Sequence, residues 1–399
     1  MFSSRTNWLL SPNRLSLEIE ELRRKGRPLL DLTESNPTRC GLVFDQQGIF
    51  EALVNPQALA YTPDPRGLRS ARQAVADYYA ERGIALDQAQ IFLTTSTSEA
   101  YSYIFRLLAD PGDDILVPQP SYPLFEFLAG LNDVRVIAYP LFYDHGWQID
   151  LRTLETRLEA RARAILVVHP NNPTGSFVRR DELAGLLAFC RQRSIALVAD
   201  EVFVDYSLGA DPQRVFSHAA VTEALTFTLS GLSKISALPQ MKVAWVVVNG
   251  PAQLLQDALA RLEVIADTYL SLSAPLSLAL PKLLDTRRTT QPQIVGRVRS
   301  NLQSLDNQLE ANRLVSRLEL EGGWYAILRL PATRTDEDWA LEIARQDGVL
   351  VHPGHFFDFS SEGHLVISLL TERAIFEEGL RKILARVAFE VQPLRPKGA

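Results

Sequence analysis

The chain has 399 residues, 46% of them hydrophobic and 22% charged, with a formal net charge of −6 and a pI near 5.7. That length holds two or three domains or one large α/β unit, and the acidic balance argues against nucleic acid as a partner, because phosphate binding needs a basic footprint. Cys40 and Cys190 are too few for a disulfide framework, and the six histidines show no spacing such as HExxH, so no metal is expected.

The opening "MFSSRTNWLLSPNRLSLEIEELRRKG" reads as a short loop and an amphipathic helix, without an apolar stretch behind a basic head. No uncharged apolar run reaches the roughly 20 residues of a membrane span. The expectation is therefore a soluble, cytoplasmic protein with reduced thiols and no membrane partner. Between about residues 90 and 250 the apolar runs "QIFLTT", "DILVP", "VRVIAYP", "AILVVHP", "IALVADE", "ALTFTLS" and "VAWVVVN" recur, with helical patterns such as "SEAYSYIFRLLAD" and "RRDELAGLLAFCRQRS" between them. Strands alternating with helices predict a mostly parallel sheet covered on both faces, with ligands at the carboxyl ends of its strands. After residue 250 come two long helical stretches, then "WYAILRLP", "GVLVHPG" and "HLVISLL" with a helix between the first two. These predict a smaller α+β domain, with the proline-containing "TTQPQ" near 290 as the linker. The expected division is 45–292 for the large domain, with 1–44 and 293–399 forming the small one.

Polar motifs fall at the strand ends. "FLTTSTSEAYSY" leads hydroxyl residues into a helix, whose free N–H groups and positive dipole end suit an anion; plain N-capping is the simpler reading. "QPSYPLFEF" sets Tyr122 after a strand, "VVHPNNPTG" sets Asn172 in a turn, and "IALVADEVF" ends an apolar strand in Asp200 and Glu201, where a carboxylate is costly unless something positive or a donor meets it. "LSGLSKISALPQMK" holds two of the six lysines, Lys234 and Lys242, between two strands that read as buried. Lysine, unlike arginine, can lose its proton and act as a nucleophile. An amine, a carboxylate, an asparagine turn, an anion-ready helix start and an aromatic are the parts that pyridoxal phosphate needs.

In "NNPTG", "ADEVF" and "SGLSKIS", in that order, the sequence resembles the fold-type I pyridoxal-phosphate enzymes and, among them, the class I/II aminotransferases, from about "LLDLTESNPT" to "LLTERAIFEEGLRKI". The resemblance implies a three-layer α/β sandwich with a mostly parallel sheet, a smaller α+β domain built from both chain ends, and pyridoxal 5'-phosphate as cofactor. By position, Lys234 resembles the Schiff-base lysine and proton shuttle, Asp200 the partner of the pyridine nitrogen, Asn172 the donor to the ring oxygen, and Tyr122 the stacking aromatic. Thr95, Ser96 and Thr97 resemble the phosphate cup, helped by Ser230 or Ser233. Tyr61 matches a tyrosine that reaches the phosphate of a neighbouring subunit, which implies a homodimer sharing its active sites.

The departures bear on substrate. Ser96 stands where the family usually has glycine, Phe203 where a tyrosine commonly donates to the ring oxygen, and Lys242 where an arginine usually meets the phosphate; lysine keeps that charge without the bidentate fork. Val366 stands where the family carries the arginine that clamps the substrate carboxylate. Either Arg329, His364 or Arg39 takes that role, the last in the segment "SNPTRCG" that with Asn36 closes over substrate in relatives, or the substrate has no carboxylate there. The implied reaction is transfer of an amino group from an amino donor to a keto acid; a lyase or decarboxylase on the same fold would use the same parts. A dehydrogenase is disfavoured, since no GxGxxG follows a strand.

Overall fold

A computed structural model of the chain describes residues 1–157 and 159–391, so the last eight residues of the expected small domain lie outside the described residues. All seven apolar runs form strands of one eight-stranded sheet: β1 (Ile91–Thr94), β2 (Asp114–Gln119), β3 (Arg135–Tyr143), β5 (Ala162–Val168), β6 (Ala196–Asp200), β7 (Thr226–Gly231) and β8 (Ala244–Asn249), with β4 (Trp147–Ile149) added at one edge. Their order is β1-β8-β7-β6-β5-β2-β3-β4; β8 runs antiparallel to both neighbours, β4 antiparallel to β3, and the remaining pairs are parallel.

Period-2 alternation splits each strand between two cores. On one face Phe92, Ile115, Leu166, Val198, Phe227 and Val246 pack under the helices α2 (Thr97–Leu108), α3 (Phe125–Leu131) and α5 (Ala252–Tyr269). On the other, Leu116, Ile165 and Leu197 meet α4 (Arg180–Arg193) through Leu186 and Leu187, while Leu93, Trp245 and Val247 meet α1 (Arg69–Ala80) and α6 (Ala274–Asp285). Burial on both sides is why charge in these strands is confined to their ends, as with Asp114, Arg135, Arg163 and Asp200.

A second, four-stranded antiparallel sheet has the order β9 (Ser316–Arg317), β10 (Tyr325–Arg329), β12 (His364–Ser368), β11 (His352–Pro353). Its core holds Trp324, Trp339, Leu365, Ile367 and Phe376, and draws in Leu15 and Leu32 from the N-terminal segment. Leu30–Asp31 also pairs in parallel with Val349–Leu350, so both chain ends meet in this region.

The "TTQPQ" stretch is helical rather than a linker: Thr289–Gln293 lie inside α7 (Arg287–Leu309). Pro292 forfeits one backbone bond, but side chains bind the segment on two sides. Gln291 Nε2 donates to the Ile235 carbonyl at 3.0 Å, and Gln293 Nε2 donates to the Val43 and Thr289 carbonyls at 2.8 Å each. Tertiary contacts outweigh the local signal here.

Where β7 ends, Gly231 lies against β8: an added Cβ would meet the Ala244 Cα and the Val243 carbonyl oxygen at 2.9 Å each. The four-residue helix Leu232–Ile235, which carries Lys234, starts at this contact and is fastened to Val243 by the Leu232 N–H at 2.9 Å. Gly231→Ala is therefore expected to lower the unfolding free energy by about 1–3 kcal/mol, the cost of overpacking, in denaturant titrations, and to weaken whatever binding depends on Lys234.

Candidate active site

The strands β1, β2, β5, β6 and β7 all point their carboxyl ends the same way, and a cavity of about 440 Å³ opens there. Its lining includes Thr97, Tyr122, Asn172, Asp200, Phe203, Ser233 and Lys234, which come from the last residue of β6 and the segments that follow β1, β2, β5, β6 and β7. Asp200 closes β6 on the face of Ala196 and Val198, and so points towards α2.

Lys234 is held from both sides of the chain. The Tyr206 hydroxyl donates to its backbone carbonyl at 2.5 Å, and its Nζ lies 5.4 Å from the Phe203 ring centroid and 5.1 Å from that of Trp324. Burial among these rings pushes its pKa down to about 8, although the Asp200 charge pulls the other way. The amine is thus largely available as a neutral nucleophile only slightly above neutral pH. Burial pushes Asp200 up to about 6, opposed by hydrogen bonds from the Tyr101 hydroxyl to Oδ2 at 2.8 Å and from the Val202 N–H to Oδ1 at 3.1 Å. The buried Asn172 Oδ1 has no partner, the one such side-chain atom among the described cavity-lining residues. An unpaired carboxamide beside a buried acid and a deprotonatable amine fits a polar aromatic cofactor, and α2 begins at this cavity through Thr97 and Ser98.

The other residues singled out in the sequence lie elsewhere. Ser96 caps α2, accepting from the Glu99 N–H at 3.2 Å, while the Thr95 N–H and Oγ1 donate to Glu99 Oε2 at 2.7 and 3.0 Å; of that turn only Thr97 lines the cavity. Of the two serine alternatives, Ser233 lines it and Ser230 is buried, bonded to the Glu201 carbonyl at 3.4 Å. Lys242 is exposed, in a left-handed conformation with φ 49°, and outside the lining. Tyr61 is 82% exposed beside a separate depression that includes Ser271 and Ser277.

Asn36 accepts from the Thr38 N–H and hydroxyl in the turn that carries exposed Arg39; its neighbour Ser35 reaches the cavity. Arg329 and His364 are cross-strand partners on the second sheet and line a different depression. Between that depression and the cavity, Val366 packs with Ile327, Leu318, Trp147 and Phe357 in a dry cluster. His364 does share a strand face with position 366, as the alternation predicts, but Phe359 stacks on it, with ring centroids 4.6 Å apart. Outside the cavity, His169, Glu201 and His218 bring ligand-type atoms within 4.8 Å of one another. His169 spends both ring nitrogens on Val178 and Val215, and Glu201 takes the His218 ring and N–H and the Ser217 hydroxyl.

Sequence reasoning missed Tyr101, Ser35, Tyr325, His352, Phe356 and Phe357 among the lining residues. Tyr101 follows Thr97 by four residues, so the same helix face that offers a hydroxyl also offers a phenol. The others arrive from the N-terminal turn, in the case of Ser35, and from the second sheet and the short helix Gly354–Phe357 that follows β11, whose placement no local pattern specifies.

Residues 44–383 match the family model described as aminotransferase class I and II. The chain is 27% identical over 377 residues to the glutamate-pyruvate aminotransferase AlaA of Haemophilus influenzae, covering 92% of each, and 27% identical over 391 residues to nicotianamine aminotransferase A of Hordeum vulgare, covering 93% of this chain and 82% of that one. Among solved structures, an aminotransferase from Escherichia coli superposes with a TM-score of 0.85 at 24% identity, covering 97% of this chain and 98% of that one. The alanine aminotransferase from Pyrococcus furiosus gives 0.86 at 21% identity, covering 98% of this chain and 100% of that one. Those likenesses show the fold, and the family match extends it to chemistry: the chain belongs to the class I and II aminotransferases and is a fold-type I, pyridoxal-phosphate-dependent enzyme that moves an amino group from an amino donor to a keto acid.

Proposed function

We propose that the cavity at the carboxyl ends of β5, β6 and β7 is the transamination site, with Lys234 as the catalytic amine. The observation that carries this reading is the meeting of Lys234, Asp200 and unpaired Asn172 on one cavity. Bound there, pyridoxal phosphate supplies an aldehyde to bond an amine and a protonated ring to accept electrons. Asp200 would meet the ring nitrogen and Asn172 the ring oxygen, Tyr122 would cover the ring face, and Thr97 and Ser233 would receive the phosphate with the N–H groups that begin α2. Thr95, Ser96, Ser230 and Lys242 support that phosphate end from outside the cavity lining. Lys234 would be the amine that holds the cofactor's aldehyde and the base placed to take a proton from the substrate carbon. Its lowered pKa suits both roles, because a general base works best near the operating pH.

The large unit, 45–292, then binds the cofactor, and 1–44 with the residues from 293 onward forms the smaller unit, the boundary falling within α7. A cytoplasmic homodimer fits the exposure of Tyr61, which we assign to a partner's phosphate site. For the substrate carboxylate we favour Arg39 over Arg329 and His364. The turn bearing Arg39 touches the cavity through Ser35, its guanidinium has no ion-pair partner among the described residues, and the dry Val366 cluster separates the other two from the site. The names of the relatives suggest small α-amino acids such as alanine and glutamate as donors.

Modification of the cofactor-free protein with an amine-selective reagent, read by mass spectrometry across pH, is expected to show Lys234 reacting with a midpoint near 8. A Lys234 midpoint at the free side-chain value of about 10.4 would refute the buried-amine reading. In single-turnover assays, alanine is expected to convert the cofactor to its amine form and a keto acid to restore it. Release of ammonia or carbon dioxide without a keto acid would instead identify a lyase. Arg39→Gln is expected to raise KM for the amino donor about tenfold or more, the order for loss of one charge-assisted contact, whereas Arg329→Gln leaves it near wild type; the reverse ranking would move the carboxylate site to the second sheet.

A further inference from the structure

Asp200 faces α2 because Ala196, Val198 and Asp200 alternate onto that side of β6. The residue that meets it is Tyr101, one turn after Thr97 on the helix that begins at the cavity. Its ring is 2% exposed and fixed between Phe105, at 5.9 Å between centroids, and Phe125, at 5.5 Å in an edge-to-face contact. So clamped, the hydroxyl reaches Asp200 Oδ2 at 2.8 Å, while the Val202 N–H reaches Oδ1 at 3.1 Å. Each carboxylate oxygen receives one donor and keeps a further acceptor position. The arrangement stops the carboxylate rotating without exhausting its capacity for a third hydrogen bond.

We propose that Tyr101 is a positioning residue, whose hydroxyl holds the Asp200 carboxylate in one orientation and in its anionic form for the cofactor's ring nitrogen. The proposal rests on the assignment of Asp200 to that nitrogen. Its electrostatic support comes from the groups around the acid. Glu201 and burial both favour the neutral form of Asp200, Lys234 favours the anion, and Tyr122 is a further phenol close enough for the Asp200 charge to raise its pKa. Against burial, the Tyr101 hydrogen bond is the largest opposing influence on Asp200, ahead of Val202 and Lys234. The phenol itself is pushed well above its ordinary range by burial and by Asp200, so it stays protonated and remains a donor. A hydrogen bond to a charged acceptor in such surroundings shifts an acid by about one to two pH units.

The test is equilibrium dialysis of pyridoxal phosphate against the full-length chain stripped of cofactor, from about pH 5 to pH 9, for wild type, Tyr101→Phe, Tyr101→Gln, Asp200→Asn and Tyr101→Phe/Asp200→Asn. Phenylalanine keeps the ring packing and removes only the donor; glutamine removes the ring and restores a donor. Tyr101→Phe is expected to bind about tenfold more weakly at pH 7, with the pH below which affinity falls moved up by about one unit. Tyr101→Gln should recover part of that shift, and in the Asp200→Asn background Tyr101→Phe should change affinity less than twofold, since no carboxylate is left to hold. A Tyr101→Phe profile that overlays wild type overturns the proposal, and so does a loss that is equal at every pH and persists with Asp200→Asn, the mark of packing alone. Should Asp200→Asn itself bind as tightly as wild type, the assignment of Asp200 to the ring nitrogen falls, and the proposal with it; a large effect there beside a flat Tyr101→Phe profile overturns the proposal only.

Discussion

A lysine and an aspartate share one aromatic-walled cavity, and each is held away from its ordinary protonation equilibrium by the same removal of water. Burial lowers Lys234 to about 8 and raises Asp200 to about 6. Without a ligand, both groups therefore tax the fold at neutral pH. The aspartate does so while ionised, a cost present above about 6 and relieved as the acid protonates; the lysine does so while protonated, a cost present below about 8 and relieved as the amine loses its proton. Between those values both charges are present and only their mutual attraction and the hydrogen bonds to Asp200 offset the loss of hydration. A cofactor that bonds the amine and presents a protonated nitrogen to the carboxylate relieves both at once, which ties its affinity to the fold.

The rest of the structure serves to keep that pair in place. Five strand ends must converge, which the parallel order of β2, β5, β6 and β7 achieves and the antiparallel β8 permits by returning the chain beside β1. Close approach at Gly231 fixes where the lysine-bearing helix starts, and Tyr206 fixes its carbonyl. The second sheet and the short helix after β11 then supply Tyr325, His352 and Phe357 as a wall, with Val366 behind them as an apolar boundary rather than a charged one.

Much of this was legible in the sequence because strands buried on both faces write themselves as short apolar runs, and all seven runs form strands of the large sheet. Asp200 and Lys234 were legible for a related reason: ionisable groups at the ends of such runs are conspicuous. What local pattern did not give was anything decided by packing between distant segments. Pro292 looked like a break, yet Gln291 and Gln293 hold its segment in a helix. Thr95 and Ser96 looked equivalent to Thr97, but Glu99 turns back to occupy the first two, and only the geometry of α2 separates them. Tyr101 reads as one more apolar face residue until β6 is placed opposite it.

The central claim is that one particular amine, buried at the end of β7, is the one that bonds the cofactor. Borohydride reduction of the purified holoenzyme fixes that bond permanently, and peptide mass spectrometry then locates it. The account predicts the reduced pyridoxyl group on Lys234 and at no other lysine in stoichiometric amount. Its appearance instead on Lys242, or spread over the surface lysines, would contradict the site described.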